Sequence, residues 1–129
     1  MGQPEQYQSE SYHQQQVFQW AQWVSRKYPE LELMYHVPNE GKRSKAAGGR
    51  LKAEGLKAGV PDICLPVARG QYHGLYIELK SGKNKATEAQ EWWIAALTRQ
   101  GYFAKVCYGW QEAHACIERY LKLKDENRK

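Results

Sequence analysis

The chain of 129 residues reads as an α/β domain, a mixed four-stranded sheet flanked by helices in the order α-β-β-β-α-β plus a C-terminal helix. Three features predict this class. Two short apolar segments, Ile63 to Val67 and Leu75 to Leu79, are joined through Arg69-Gly70-Gln71-Tyr72-His73-Gly74, a loop short enough for an antiparallel hairpin. A helical segment separates the second of these from another strand, Tyr102 to Tyr108, which makes a right-handed crossover with parallel strands. Apolar residues at helical spacing open and close the chain.

Val17, Trp20, Ala21, Val24 and Tyr28 lie on one helical stripe that Pro29 stops, so the first helix is expected from about Glu10 to Tyr28. Leu33 to Val37 is a short strand candidate, followed by a turn at Pro38-Asn39-Glu40-Gly41. From Lys42 to Lys57 stand six basic residues (Lys42, Arg43, Lys45, Arg50, Lys52, Lys57) against one acid, Glu54. Gly48, Gly49 and Gly55 loosen the backbone there, and the stretch reads as a long loop. Thr87 offers an N-cap that Gln90 completes as a capping box, for a helix running to about Gln100 with Gly101 at its C′ position. Ala113, Ile117, Tyr120 and Leu121 give the last helix its apolar stripe before a charged tail, residues 122 to 129.

This length fits one domain with a core of about 10–121, since single cores usually hold about 100 to 150 residues. A composition 42% hydrophobic with five tryptophans supplies enough apolar material to pack that core and excludes a disordered chain. The net charge of +5 and pI near 9.1 point weakly to a polyanionic partner. No apolar run approaches the roughly 18 residues of a membrane span, and Met1-Gly2-Gln3-Pro4-Glu5 is no secretory signal, so a soluble, cytoplasmic protein without a membrane partner is expected. Cys64, Cys107 and Cys116 lack Cys-x-x-Cys spacing and read as reduced core residues.

The chemistry concentrates in Gly59-Val60-Pro61-Asp62 and Glu78-Leu79-Lys80. Strand side chains alternate, so Glu78 and Lys80 share one face while Ile77 and Leu79 take the other, with their α-carbons about 6.6 Å apart. Antiparallel pairing would bring Asp62, at the start of one strand, beside Glu78, late in its partner. Two carboxylates at that spacing suit Mg²⁺ or Mn²⁺, and Lys80 suits a phosphate as a compact cation that orients water and neutralises developing charge. Solvated charges on an edge strand are the competing reading. Glu10 lies with Gln14, Val17 and Ala21 on the inward stripe of the first helix, where it has either a metal ion as partner or the favourable field of a fraying helix start. Lys42, Arg43, Lys45, Arg50 and Lys52 can grip phosphates, and Asn39 can contact DNA or merely hold its turn. His13, His36, His73 and His114 lack ligand spacing and read as structural; Trp92 and Trp93 fit a core or a dimer interface better than base stacking.

In order and spacing, Glu10 with Gln14, Val37-Pro38-Asn39-Glu40-Gly41, Gly59-Val60-Pro61-Asp62, Ile77-Glu78-Leu79-Lys80 and Gln90 resemble the virus-type replication-repair nuclease (VRR-NUC) family of the PD-(D/E)xK nuclease superfamily. The resemblance spans about Glu10 to Leu121 and implies a restriction-endonuclease-like core that cleaves DNA phosphodiesters with a metal ion. It implies Glu10, Asp62, Glu78 and the Leu79 carbonyl as ligands, Asp62, Glu78 and Lys80 as catalytic residues, and Gln90 as a support of the site. Stand-alone phage and bacterial members resemble homodimers that resolve four-way (Holliday) junctions, whereas fused members act on flaps as monomers. The absence of a fused domain here favours the stand-alone comparison. The alternatives are a catalytically silent DNA-binding module on the same fold, or a nuclease for flaps or specific duplex sequences.

Overall fold

Alternation of Leu75, Ile77 and Leu79 commits the central strand to burying one whole face, and the rest of the fold is arranged around it. The computed structural model describes residues 8–38 and 45–124. The elements are α1 (Glu10–Trp23), a 3₁₀ helix (Pro29–Leu33), β1 (Tyr35–His36), α2 (Lys45–Ala53), β2 (Ile63–Leu65), β3 (Leu75–Lys80), α3 (Glu88–Arg99), β4 (Phe103–Tyr108) and α4 (Trp110–Leu121). The sheet runs β1-β2-β3-β4, antiparallel across the first two pairings and parallel across the last. It is the mixed four-stranded sheet that the hairpin and the crossover predict.

Val17, Trp20 and Ala21 of α1 and Ala113, Cys116, Ile117, Tyr120 and Leu121 of α4 pack with Leu75, Ile77, Leu79 and Cys107 into the core. Cys64, Cys107 and Cys116 are all free and buried. α3 contributes no buried residue and runs beside β4 on the sheet's other side, so Trp92 stays 61% exposed. Trp93 is half-buried, its indole N–H donating to the Ala58 carbonyl at 3.0 Å. A core role for this tryptophan pair is therefore ruled out.

Several boundaries differ from the sequence pattern. α1 stops at Trp23 instead of Tyr28 because Ser25, Arg26 and Lys27 are exposed and nothing on that turn rewards a longer helix. Tyr28 still enters the core through a turn, its amide donating to the Val24 carbonyl at 2.9 Å and its hydroxyl to Glu118 at 3.1 Å. Pro29 starts the 3₁₀ helix, which absorbs Leu33 and leaves only Tyr35 and His36 of the expected first strand. Pro66 has no N–H for the ladder and ends β2 at Leu65, while Val67 remains in the core.

The largest departure is in the basic stretch, where residues 45–53 form α2 instead of a loop. Ala46, Ala47, Leu51 and Lys52 are strong helix formers and outweigh Gly48 and Gly49, and an Arg50–Glu54 pair at 3.8 Å spans one turn. Among the described residues no element packs closely against α2. No helix of the described residues is long and apolar enough to cross a membrane.

Gly59 sets the approach of the Asp62 loop to α3. Its φ is +90°, and a Cβ there would stand 2.7 Å from the Ala89 carbonyl carbon and 2.8 Å from the Ala89 Cβ. Gly59→Ala is expected to destabilise the protein by about 2 kcal/mol, the combined effect of a left-handed backbone and a backbone clash. The urea midpoint measures this, and an unchanged midpoint would mean that loop and helix part freely.

Candidate active site

The register that pairs Ile63 with Ile77 places Asp62 one step beyond the end of β2, opposite Glu78. The chain there is pinned twice, since the Asp62 carbonyl accepts the Val37 amide at 2.7 Å and lies 3.1 Å from His36 Nδ1. Asp62 Oδ2 accepts the Leu79 amide at 2.8 Å. The two acids thus meet as hairpin pairing predicts.

Glu78 and Lys80 share the face of β3 that looks away from the core, yet they are only 2% and 6% exposed. They are not the solvated charges of an edge strand. Lys80 Nζ stands 3.8 Å from Glu78 Oε2, and the Gln90 side-chain amide donates to the same oxygen at 3.1 Å. Glu78 Oε1 is buried with no protein partner. Acids this buried are rare unless paired, because desolvation opposes their charge.

Gln90 reaches Glu78 because the capping box forms as read: its backbone N–H donates to Thr87 Oγ1 at 3.1 Å and its Oε1 accepts the Thr87 amide at 2.9 Å. That leaves Nε2 free to turn toward the strand. Glu10 sits half-buried in the first turn of α1, where Asn84 Nδ2 donates to its Oε2 at 3.3 Å. Among the described residues no group of three or more His, Cys, Asp or Glu side chains is placed to hold a metal ion. The donors are the two apposed carboxylates of Asp62 and Glu78, a set that fits Mg²⁺ or Mn²⁺, which typically takes one or two carboxylates and fills its remaining positions with water and phosphate. The unpartnered Oε1 of Glu78 is the free donor such an ion would use.

Of the basic residues expected to contact DNA, Arg50 and Lys52 are exposed on α2, and Lys45 begins that helix. Asn39, Lys42 and Arg43 lie outside the described residues. Two site neighbours escape the sequence reading. Asn84 carries no signal in the Ser81-Gly82-Lys83-Asn84 turn. His13 is 0% exposed and accepts the Trp110 amide on Nδ1 at 3.1 Å. Its signal lies in the spacing of His13, Val17 and Trp20, which continues the inward stripe by one turn.

Burial raises the Glu78 carboxyl from its ordinary value of 4.5 to about 9, the Asp62 carboxylate adds to the rise, and Lys80 opposes it. Between these values the folded metal-free protein holds a proton that the unfolded chain releases. Stability is therefore full below about 4.5 and falls as pH rises through about 9. Glu78→Gln is expected to flatten that slope and to stabilise the metal-free protein at pH near 8. Urea unfolding across a pH series in chelator measures it, and parallel profiles for the two proteins would contradict the shift.

A family model for the VRR-NUC domain matches residues 2–111, which include every site residue named above. A solved structure described as a VRR_NUC domain protein is 34% identical, covers 92% of this chain and 92% of its own, and superimposes with a TM-score of 0.78. A search of curated proteins gives no match. The sequence match and the shared fold together establish that the chain belongs to the VRR-NUC family of nuclease-type domains.

Proposed function

We propose that the protein is a PD-(D/E)xK-type, metal-dependent DNA endonuclease that hydrolyses phosphodiester bonds in branched DNA, four-way junctions foremost, as a homodimer. The observation that carries this reading is the buried Glu78, with Oε1 unpartnered, beside Asp62 and 3.8 Å from Lys80. A pair of acids turned inward repels phosphate unless a cation joins them, so DNA binding alone gives no reason to keep it.

In this reading Asp62, Glu78, the Leu79 carbonyl and Glu10 would hold Mg²⁺ or Mn²⁺. When bound, the ion supplies Lewis acidity, which eases deprotonation of water and offsets charge on the phosphate. Lys80 orients the attacking water and neutralises charge as it develops on the phosphoryl oxygens. Gln90 keeps one Glu78 oxygen engaged and leaves the other available as a ligand. Arg50 and Lys52, with Asn39, Lys42, Arg43 and Lys45, grip the phosphate backbone. Symmetric cutting of a junction needs two such sites at fixed separation, which is the reason for a dimer.

Incubation with labelled junction, flap, duplex and single-stranded DNA in Mg²⁺ or Mn²⁺ tests the reading. The wild type should cut the junction best, and Lys80→Ala and Asp62→Asn should each lower cleavage by about a hundredfold or more while DNA binding persists. Wild-type turnover by either variant refutes the assignment, and a wild type that binds all four DNAs but cuts none is a silent binding module. Charge reversal at Arg50 and Lys52 should weaken binding at every sequence and reduce the salt slope by about 2. Unchanged affinity would place the grip elsewhere.

A further inference from the structure

The N-terminus of α4 has no cap of its own. Gly109 occupies the N-cap with φ +86° and no side chain, so the first helical N–H groups lack the usual local acceptor. A side chain at 109 is disfavoured by that left-handed φ, and a Cβ there would also press on Gln111 Oε1 at 3.3 Å. The acceptor comes from another helix instead. His13 of α1, fully buried, takes the Trp110 amide on Nδ1 at 3.1 Å. An imidazole that accepts on Nδ1 carries its proton on Nε2.

This bond joins the two ends of the site. The Gly109 amide, next to Trp110, donates to the Lys80 carbonyl at 2.9 Å, so the end of β3 and the start of α4 are fixed together. On the other side, the His13 amide closes the first turn of α1 on the Ser9 carbonyl at 3.2 Å, and Glu10 lies within that turn. Glu10 and Lys80 are therefore connected through three hydrogen bonds, at 3.2, 3.1 and 2.9 Å, the His13 side chain and short stretches of backbone. Asn84 adds a second hold on the first turn of α1, its Nδ2 donating to Glu10 Oε2 at 3.3 Å.

We infer that His13 is a positioning residue: it caps α4 from α1 and thereby holds Glu10 in place against the catalytic strand at Lys80. The role rests on the function proposed above, and it differs from chemistry, since a fully buried ring touches neither DNA nor water.

The position of the acceptor separates this role from mere packing. In His13→Asn the amide oxygen can occupy the place of Nδ1; in His13→Gln it lies one bond further out; in His13→Leu it is gone. Mn²⁺ affinity by calorimetry and kcat and KM on junction DNA should fall in that order. His13→Leu and His13→Gln should lose about tenfold or more in Mn²⁺ affinity and in kcat at nearly constant KM, and His13→Asn should stay within about threefold of wild type. Equal loss in the Asn and Gln variants overturns the inference, as does wild-type affinity in a folded His13→Leu. If the Leu variant does not fold, the Asn and Gln pair decides alone. A wild type that binds no Mn²⁺ refutes the proposed function instead. The link is then judged on hydrogen exchange of the Trp110 amide, which should be faster in His13→Gln than in wild type and His13→Asn; equal exchange overturns it.

Discussion

The side chain of Asp62 takes over where the β2–β3 ladder stops. Beyond the Ile63–Ile77 pair, β2 has no further residue to receive the Leu79 N–H, and a carboxylate oxygen does so at 2.8 Å. This one bond brings an acid onto the line of the strand, beside Glu78, without any long loop to order. The neighbouring constraints follow from it: Asp62 must come off a tight turn, that turn must lie against α3, and Glu78 must sit in the narrow space between. Asp62 accepts a backbone N–H while Glu78 keeps one buried oxygen without a donor, so the site divides its acids into one satisfied and one destabilised.

That division has an energetic logic. A buried carboxyl with one oxygen lacking a donor and a lysine at 3.8 Å is poor structural glue, because ionising it there would lose more hydration than one long contact returns. The protein tolerates the cost because the opposite face of β3 packs fully against α1 and α4. Leu75, Ile77 and Leu79 secure the strand, and the alternation of the same strand presents Glu78 and Lys80 on its other face. The packed core and the candidate site are thus drawn from successive residues of one element and directed to opposite sides.

Much of this arrangement is legible in the sequence. Asp62, Glu78 and Lys80 converge because hairpin register and strand alternation are short-range rules with little room for error. The capping box at Thr87 and Gln90 is equally local. α2 escaped because Gly48 and Gly49 read as breakers, and its helix is held by local propensity and one ion pair, with no apolar stripe to reveal it. The end of α1 was misread because Tyr28 does lie in the core, but arrives there by a turn that mimics the next helical step. His13 could not be assigned its partner at all: Trp110 is 97 positions away, and only the assembled fold brings the two together. Long-range caps of this kind leave no spacing to detect.

Gln90 spends both ends of its side-chain amide, the oxygen on the start of α3 and the nitrogen on Glu78. Glutamate serves as well as glutamine at that step of a capping box. The helix alone would therefore accept either residue, but a carboxylate would face Glu78 with a second acceptor where a donor now stands. Position 90 is answerable to two masters, and only one of them would be heard in a measurement of folding. A search for tolerated replacements that scores stability alone would pass the exchange and silently remove the donor that holds Glu78 Oε2.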